Sequence, residues 1–417
     1  MLSGSVDPQA AIARVFREES GKVLAFLIRT LRDFELAEDA LQEAIASALE
    51  RWPIDGVPDN PAAWLTTTAR RKALDRLRRQ ATRSEKAPAL KVLASLEQEV
   101  MTQIDETGIP DERLRLIFTC CHPALAHQAQ VGLTLRTLGG LTTAEIARSF
   151  LIPEATLAQR LVRAKRKIRS AGIPYRIPPP ELLPERLEAV LGVLYLIFNE
   201  GYSASTGTDI VRDDLCAEAI RLVSVVVALL PEEAEPRGLL GLMLLQDSRR
   251  DARLGPDGEL MTMEQQDRSR WDRDQIDKGA AIVREALRMG RVGKYQIQGA
   301  IAAVHAEAAA PADTDWPQVV GLYDVLLQLL PTPVVALNRA VAVAMAEGPQ
   351  AGLNLLAEPS LATALDAYHL FHAARGELHR RAGFPAEAAT CYRRALELAT
   401  NEAERAYLSS RLAEVSQ

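Results

Sequence analysis

Seven Arg or Lys side chains and no acid lie between Arg160 and Arg176. Apolar residues interrupt them at helical spacing. In a helix from Glu154, Leu157, Leu161, Ala164 and Ile168 stand at i, i+4, i+7 and i+11 and share one buried face. Gln159, Arg160, Arg163, Arg166 and Lys167 fall off that face. Such a helix fits the major groove of B-DNA, where Arg forks onto guanine O6 and N7 and Gln does the same for adenine. Basic residues nearer its end would sit on phosphates and give register and salt-sensitive affinity. The competing reading is the solvated face of a charged helix.

The residues just upstream favour DNA. In LTTAEIARSF, Thr142 and Glu145 have capping-box spacing, so a helix is expected from there to about Phe150. A short turn, LIP, then leads into the basic helix. This is helix, tight turn, helix. A second basic helix lies earlier, in PAAWLTTTARRKALDRLRRQ, entered through Pro61 in its first turn. Arg70, Arg71, Lys72, Arg76, Arg78 and Arg79 crowd it, with Trp64 at its start. Basic residues track a backbone, and an aromatic ring can support an unstacked base; Trp64 as plain core is the alternative. The helix before it, FELAEDALQEAIASALERW, has Leu36, Ala40, Ile45, Ala48 and Leu49 near one face and acids on the other. It would repel phosphate, so it needs a protein partner or solvent. WPIDGVPDNP between these two helices is expected to be a loop.

Ala, Leu and Arg abound and aromatics are few, which points to an all-α chain. At 417 residues it has room for two to four domains. The net charge of −6 is uneven: residues 1–176 hold 26 basic and 21 acidic side chains, residues 177–417 hold 23 and 34. The front half can meet polyanions and the back half should avoid them. Four scattered cysteines make no disulfide framework. There is no signal-peptide pattern and no apolar run of membrane-spanning length, so a cytoplasmic location without membrane attachment is expected.

Residues 81–109 are polar and weakly patterned, a linker with room for one helix. GIPYRIPPPELLPERL marks a boundary stiffened by prolines. Beyond it, helical segments recur to the C-terminus as in repeat solenoids. One pair is close to a tetratricopeptide repeat, with Gly376, Gly383, Ala388, Tyr392 and Ala395 at that repeat's small and aromatic positions.

DALQEAIASALERW, AAWLTTTARRKALDRLRR and LTTAEIARSFLIPEATLAQRLVRAKRKI together resemble bacterial sigma factors of the sigma-70 family, over roughly residues 8–172. The layout is similar to the extracytoplasmic-function (ECF) group. The resemblance implies a region-two domain (8–80), a linker (81–109), a region-four domain with helix-turn-helix (110–172), a Pro-rich linker (173–185) and a helical, tetratricopeptide-like domain (186–417). It implies core RNA polymerase as partner, through the β′ clamp helices and β flap, together with promoter DNA. Asp39, Gln42 and Glu43 would dock the clamp helices. Asn60, Trp64, Arg70, Arg71, Lys72, Arg78 and Arg79 would serve the −10 element, and Thr156, Gln159, Arg160, Arg163, Arg166 and Lys167 the −35 element. No catalysis and no cofactor are implied.

One departure stands out. ECF sigma factors usually end soon after the recognition helix, whereas this chain continues for more than two hundred residues. LIFTCCHPAL, LYLIFNEGYSAS and QQDRSRWD are similar to a subgroup with a C-terminal extension, which would modulate activity through a protein or small molecule. A helix-turn-helix regulator with a sensor domain, never binding polymerase, is the alternative; it would need neither the acidic helix nor the second basic one. An enzyme seated after residue 185 is a third class, but no nucleophile–base pair supports it. The adjacent Cys120, Cys121 and His122, with His127, lack metal-ligand spacing. FNEGYSAS and DRSRWDRDQ could line a ligand pocket, against the plainer reading of loops knitted by local ion pairs.

Overall fold

The computed structural model describes residues 8–31, 33–83, 112–150, 152–202, 213–255 and 259–416. Among these the chain is helical throughout, with a single β-bridge between Leu254 and Leu260. It divides into two compact units, 1–194 and 195–417. The division falls inside one helix, Leu183–Tyr202.

Three long helices open the first unit: α1 (Pro8–Leu31), α2 (Phe34–Asp55) and α3 (Pro61–Arg83). Asp33 caps α2, its carboxylate accepting from the Glu35 and Leu36 amides. Asn60 caps α3, its side-chain oxygen accepting from the Ala63 amide at 3.0 Å. The expected loop at 52–61 is shorter than its prolines predict. α2 runs on through Trp52 and Pro53 and ends at Gly56, whose φ of 85° breaks it. Pro53 lacks only one bond in an exposed last turn, which the helix tolerates. The buried seam of α2 is also shifted from the expected one. Ala37, Ala40, Leu41, Ala44, Ala48 and Trp52 are buried, while Leu49 is half exposed. Small side chains on this seam meet Ala62, Leu65, Ala69 and Ala73 of α3, so the backbones pack closely.

Four shorter helices follow: α4 (Arg113–Cys120), α5 (His127–Thr137), α6 (Thr143–Ser149) and α7 (Glu154–Ser170). The capping box forms as its spacing predicts. The Thr142 amide donates to Glu145 Oε2 at 2.7 Å, and the Glu145 amide donates to Thr142 Oγ1 at 3.1 Å. Leu157, Leu161, Ala164 and Ile168 are the buried residues of α7. The expectation of a helix within 81–109 lies outside the described residues beyond the end of α3.

α1 joins the two groups of helices. Val23 to Ile28 are six consecutive buried residues, so no face of α1 is left for water there. α2 and α3 cover one side, and α4 and α5 touch the other.

In the second unit, helices stack against their neighbours in chain order. They are α9 (Asp213–Leu229), α10 (Ala234–Asp247), α11 (Arg273–Arg288), α12 (Lys294–Glu307), α13 (Trp316–Leu329), α14 (Pro333–Glu347), α15 (Pro349–Leu356), α16 (Pro359–Leu365), α17 (His369–Arg381), α18 (Pro385–Leu398) and α19 (Glu402–Val415); α8 is the dividing helix. Separate apolar clusters follow one another along the chain, centred on Trp271, Val319, Phe371 and Tyr392. Glycine permits the closest crossings. A Cβ on Gly376 of α17 would stand 2.9 Å from the Tyr392 ring of α18, a ring only 1% exposed.

Candidate nucleic-acid and polymerase interface

The basic residues of α7 divide into two sets. Gln159, Arg163, Arg166 and Lys167 are exposed, with Thr156 and Arg160 half-buried beside them. Arg160, Arg163 and Lys167 border a shallow hollow of about 290 Å³ with Leu125 and Gln128, so they share one edge. Lys165 and Arg169 point the other way. Lys165 is bound to Glu38 of α2, both side chains more than four-fifths buried. Arg169 stands 3.6 Å from both Asp33 and Glu35. The helix thus offers one cationic edge to solvent and ties the other to α2.

On α3, Arg71, Arg78 and Arg79 are exposed and Lys72 is half-buried. Arg70 is off this edge. It is 8% exposed, and burial lowers its pKa. Arg76 bridges to Asp39 and lies 2.9 Å from Glu43, which ties two of the three residues expected to dock polymerase to the neighbouring helix. These pairs are substantially exposed and worth little, about 0–1 kcal/mol, so a partner can displace them. Gln42 instead lines a small crevice with Ile45, Arg136 and Gly140. Asn60 is exposed at the start of α3. Trp64 is half-buried, edge-on to Trp52 at 5.4 Å, and Trp52 in turn stacks on Phe16 at 5.2 Å.

Polar contacts between the two groups of helices complete the unit. Arg29 of α1 donates to Glu112 at 2.7 Å, and Arg115 lies 3.0 Å from the same carboxylate, whose side chain is 6% exposed. Tyr175 Oη donates to the Ala25 carbonyl at 2.7 Å. Burial pushes the Tyr175 phenol well above its usual range, which keeps it a donor. The sequence holds no local signal for these contacts.

Cys120 and Cys121 are buried thiols beside Thr137 and Thr134. Burial pushes Cys121 up to about 12, so it is inert. No cluster that could hold a metal ion occurs among the described residues. No described helix is long and apolar enough to cross a membrane.

Family models fit the same pieces of chain. Sigma-70 region 2 matches residues 15–83 and sigma-70 region 4 matches residues 115–168. The ECF RNA polymerase sigma factor SigK of Mycobacterium tuberculosis is 30% identical over 167 residues, covering 39% of this chain and 86% of the relative. The chain belongs to the ECF sigma factors. SigK of Mycobacterium ulcerans is 28% identical over 164 residues, 38% of this chain and 84% of the relative.

Region 2 of this sigma factor therefore comprises α1 to α3, and region 4 comprises α4 to α7. Sigma factors are not enzymes. The C-terminal part has relatives of its own. A family of unknown function, DUF6596, matches residues 186–287. An uncharacterized protein of Rhizobium meliloti, R00370, is 44% identical over 394 residues, 94% of this chain and 92% of the relative. The extension thus recurs in a whole-length relative.

Proposed function

We propose that the chain directs core RNA polymerase to specific promoters from the cytoplasm and that its C-terminal unit modulates this. Region 2 takes the polymerase clamp on Asp39, Gln42 and Glu43. It receives the −10 element with Asn60, Trp64, Arg71, Lys72, Arg78 and Arg79; the buried Arg70 supports α3 from within. Region 4 reads the −35 element through Thr156, Gln159, Arg160, Arg163, Arg166 and Lys167. The observation that carries this reading is the split of α7, with one edge exposed and cationic and the other committed to α2. The C-terminal unit is tetratricopeptide-like, a reading supported by Gly376 seated on the Tyr392 ring.

The two promoter elements are named for positions about 25 base pairs apart, about 85 Å of duplex at 3.4 Å per base pair. Regions 2 and 4 lie in hydrogen-bond contact here, so engaging both elements requires them to separate. The clamp face, the Gln42 crevice and the Lys165–Glu38 pair open together.

The test is promoter-selective transcription by core polymerase with the full chain. Arg163→Ala should weaken −35 binding by about 1–3 kcal/mol if it forks onto a guanine. Unchanged binding at fixed salt removes Arg163 from the interface. DNA binding without any polymerase binding would hand the chain to the regulator class.

A further inference from the structure

Two cavities adjoin inside the second unit. One of about 400 Å³ and another of about 470 Å³ share Met263, His305, Tyr323 and Asn338 in their walls. His305 lies in the last turn of α12, Tyr323 in the middle of α13 and Asn338 in the first half of α14. The charged side chains around the first cavity are already engaged. Glu264 and Glu377 both accept from Arg381, and Glu377 also accepts from Arg380 and Tyr392. Arg411 donates to Tyr407 and Glu414. Arg268 donates to the His305 and Ala308 carbonyls and lies over the Trp271 ring at 4.6 Å. Around the second cavity, Arg249 donates to the Tyr202 hydroxyl, and Lys294 stands over the Tyr295 ring at 5.2 Å.

The groups left unused are neutral. Among the described residues, no hydrogen bond reaches the His305 ring nitrogens, the Tyr323 hydroxyl or the Asn338 side-chain amide. Gln246 Oε1, in the wall of the second cavity, is buried without a partner. Burial, then the nearby Arg249 and Arg268, push His305 down to about 4. Its ring is therefore neutral at pH 7 and offers one donor and one acceptor. Burial pushes Tyr323 up to about 12, so its hydroxyl keeps its proton. The Asn338 amide also offers both kinds of group. Trp316 stands edge-on to His305 at 5.2 Å. With Met263, Met345 and the Tyr323 ring, it gives the first cavity an aromatic and polarizable lining.

We propose that the adjoining cavities bind an uncharged aromatic molecule with both a hydrogen-bond donor and an acceptor, read by His305, Tyr323 and Asn338 and packed on Trp316 and Met263. Space of this size, with a few convergent polar groups among apolar ones, suits a small organic ligand. A charged ligand would have to compete with pairs that the walls already hold, whereas a neutral one needs only the groups that stand unused. A purely apolar ligand would dry those groups without pairing them, at a cost. A polyhydroxylated one would bring more hydroxyls than three side chains can pair. The site deepens the modulating role proposed for this unit and rests on that role for its meaning, but its occupancy is measured without polymerase or DNA.

Three coumarins with one ring system decide it, by fluorescence titration and competition on the full chain. 7-Amino-4-methylcoumarin has an amine donor at one end and a lactone acceptor at the other. 4,7-Dimethylcoumarin keeps the acceptor and lacks the donor, and 7-amino-4-methylcoumarin-3-acetate adds a carboxylate. The expected result is one saturable site for the aminocoumarin, from which each of the other two displaces it at least about tenfold less well. Tyr323→Phe/Asn338→Leu removes two of the three polar partners and keeps the aromatic lining. It should weaken the aminocoumarin at least about tenfold and the dimethyl compound less. Asn338 is exposed on α14, so Asn338→Trp leaves the core intact and should block both compounds. Tighter binding of the acetate, equal binding of the aminocoumarin by wild type and Asn338→Trp, or no saturable binding by the wild-type chain overturns the proposal. Promoter-selective transcription stands or fails by itself in every case.

Discussion

The two units of this chain are held together in opposite ways. In the first, decisive contacts join residues far apart in sequence: Tyr175 to Ala25, Lys165 to Glu38, Glu112 to Arg29. Many are single hydrogen bonds or ion pairs between two otherwise complete groups of helices. In the second, most helices pack on the next or the next but one in the chain, and apolar clusters succeed one another from Trp271 to Tyr392. A neighbour-to-neighbour stack has no seam along which to part. The first unit has such a seam between region 2 and region 4, apolar where α1 meets α4 and α5 and polar at its edges. Stability in one is local and additive. In the other it is concentrated at a joint.

Substitutions should separate these two modes. The largest effect is expected from Tyr392→Ala, which removes the ring that fills the gap above Gly376 and leaves a cavity. It should cost about 3–5 kcal/mol, read as faster hydrogen exchange through α17 to α19 with α1 unaffected. Spread of the loss to α1 would break the comparison. Next comes acid. His305 has a pKa of about 4 in the folded chain against 6.5 unfolded, so its contribution is complete above pH 6.5 and is lost as pH falls toward 4. The loss should reach about 2–4 kcal/mol, and His305→Gln should flatten that part of the stability profile. Glu377 acts in a lower window. Burial opposes its ionisation, but bonds from Arg380, Arg381 and Tyr392 hold it down at about 2, so its share persists above pH 4.5 and fades below.

The joint of the first unit should respond less, and only there. Glu112→Gln weakens the bonds from Arg29 and Arg115 and should cost about 1–3 kcal/mol in urea unfolding of that unit. Tyr175→Phe removes the second hydrogen bond on the Ala25 carbonyl, which its own helix still pairs, for about 1 kcal/mol. Both should raise affinity for core polymerase while leaving α17 to α19 untouched. Weaker polymerase binding in Tyr175→Phe would show that the joint supports docking instead of opposing it.

What the sequence makes legible follows the same division. The helix-turn-helix is legible because its signals are local: Thr142 with Glu145 act within one turn, and the four apolar residues of α7 recur every turn along a single helix. Gly376 and Tyr392 stand out in the sequence, and they meet where α17 crosses α18. α2 ends later than its sequence suggests, because Pro53 signals a break that the exposed last turn tolerates. The short helices α15 and α16 are too brief to show a period in the sequence. Of the candidate site, the exposed edge of α7 was legible from its apolar face alone. The commitment of Lys165 and Arg169 to α2 was not, since any acidic helix offers them partners.

The burial of Val23 to Ile28 on every side has a consequence for how often the first unit stands open. Parting regions 2 and 4 would wet one flank of α1, and each large apolar side chain so exposed costs about 1.5–3 kcal/mol. Two such side chains hold the open population of the free chain to about one molecule in a hundred or fewer. A partner that needs the regions apart then binds about a hundredfold more weakly than its contacts alone would give. On the proposed opening, polymerase occupancy would follow the number of free copies as much as the affinity of the contacts.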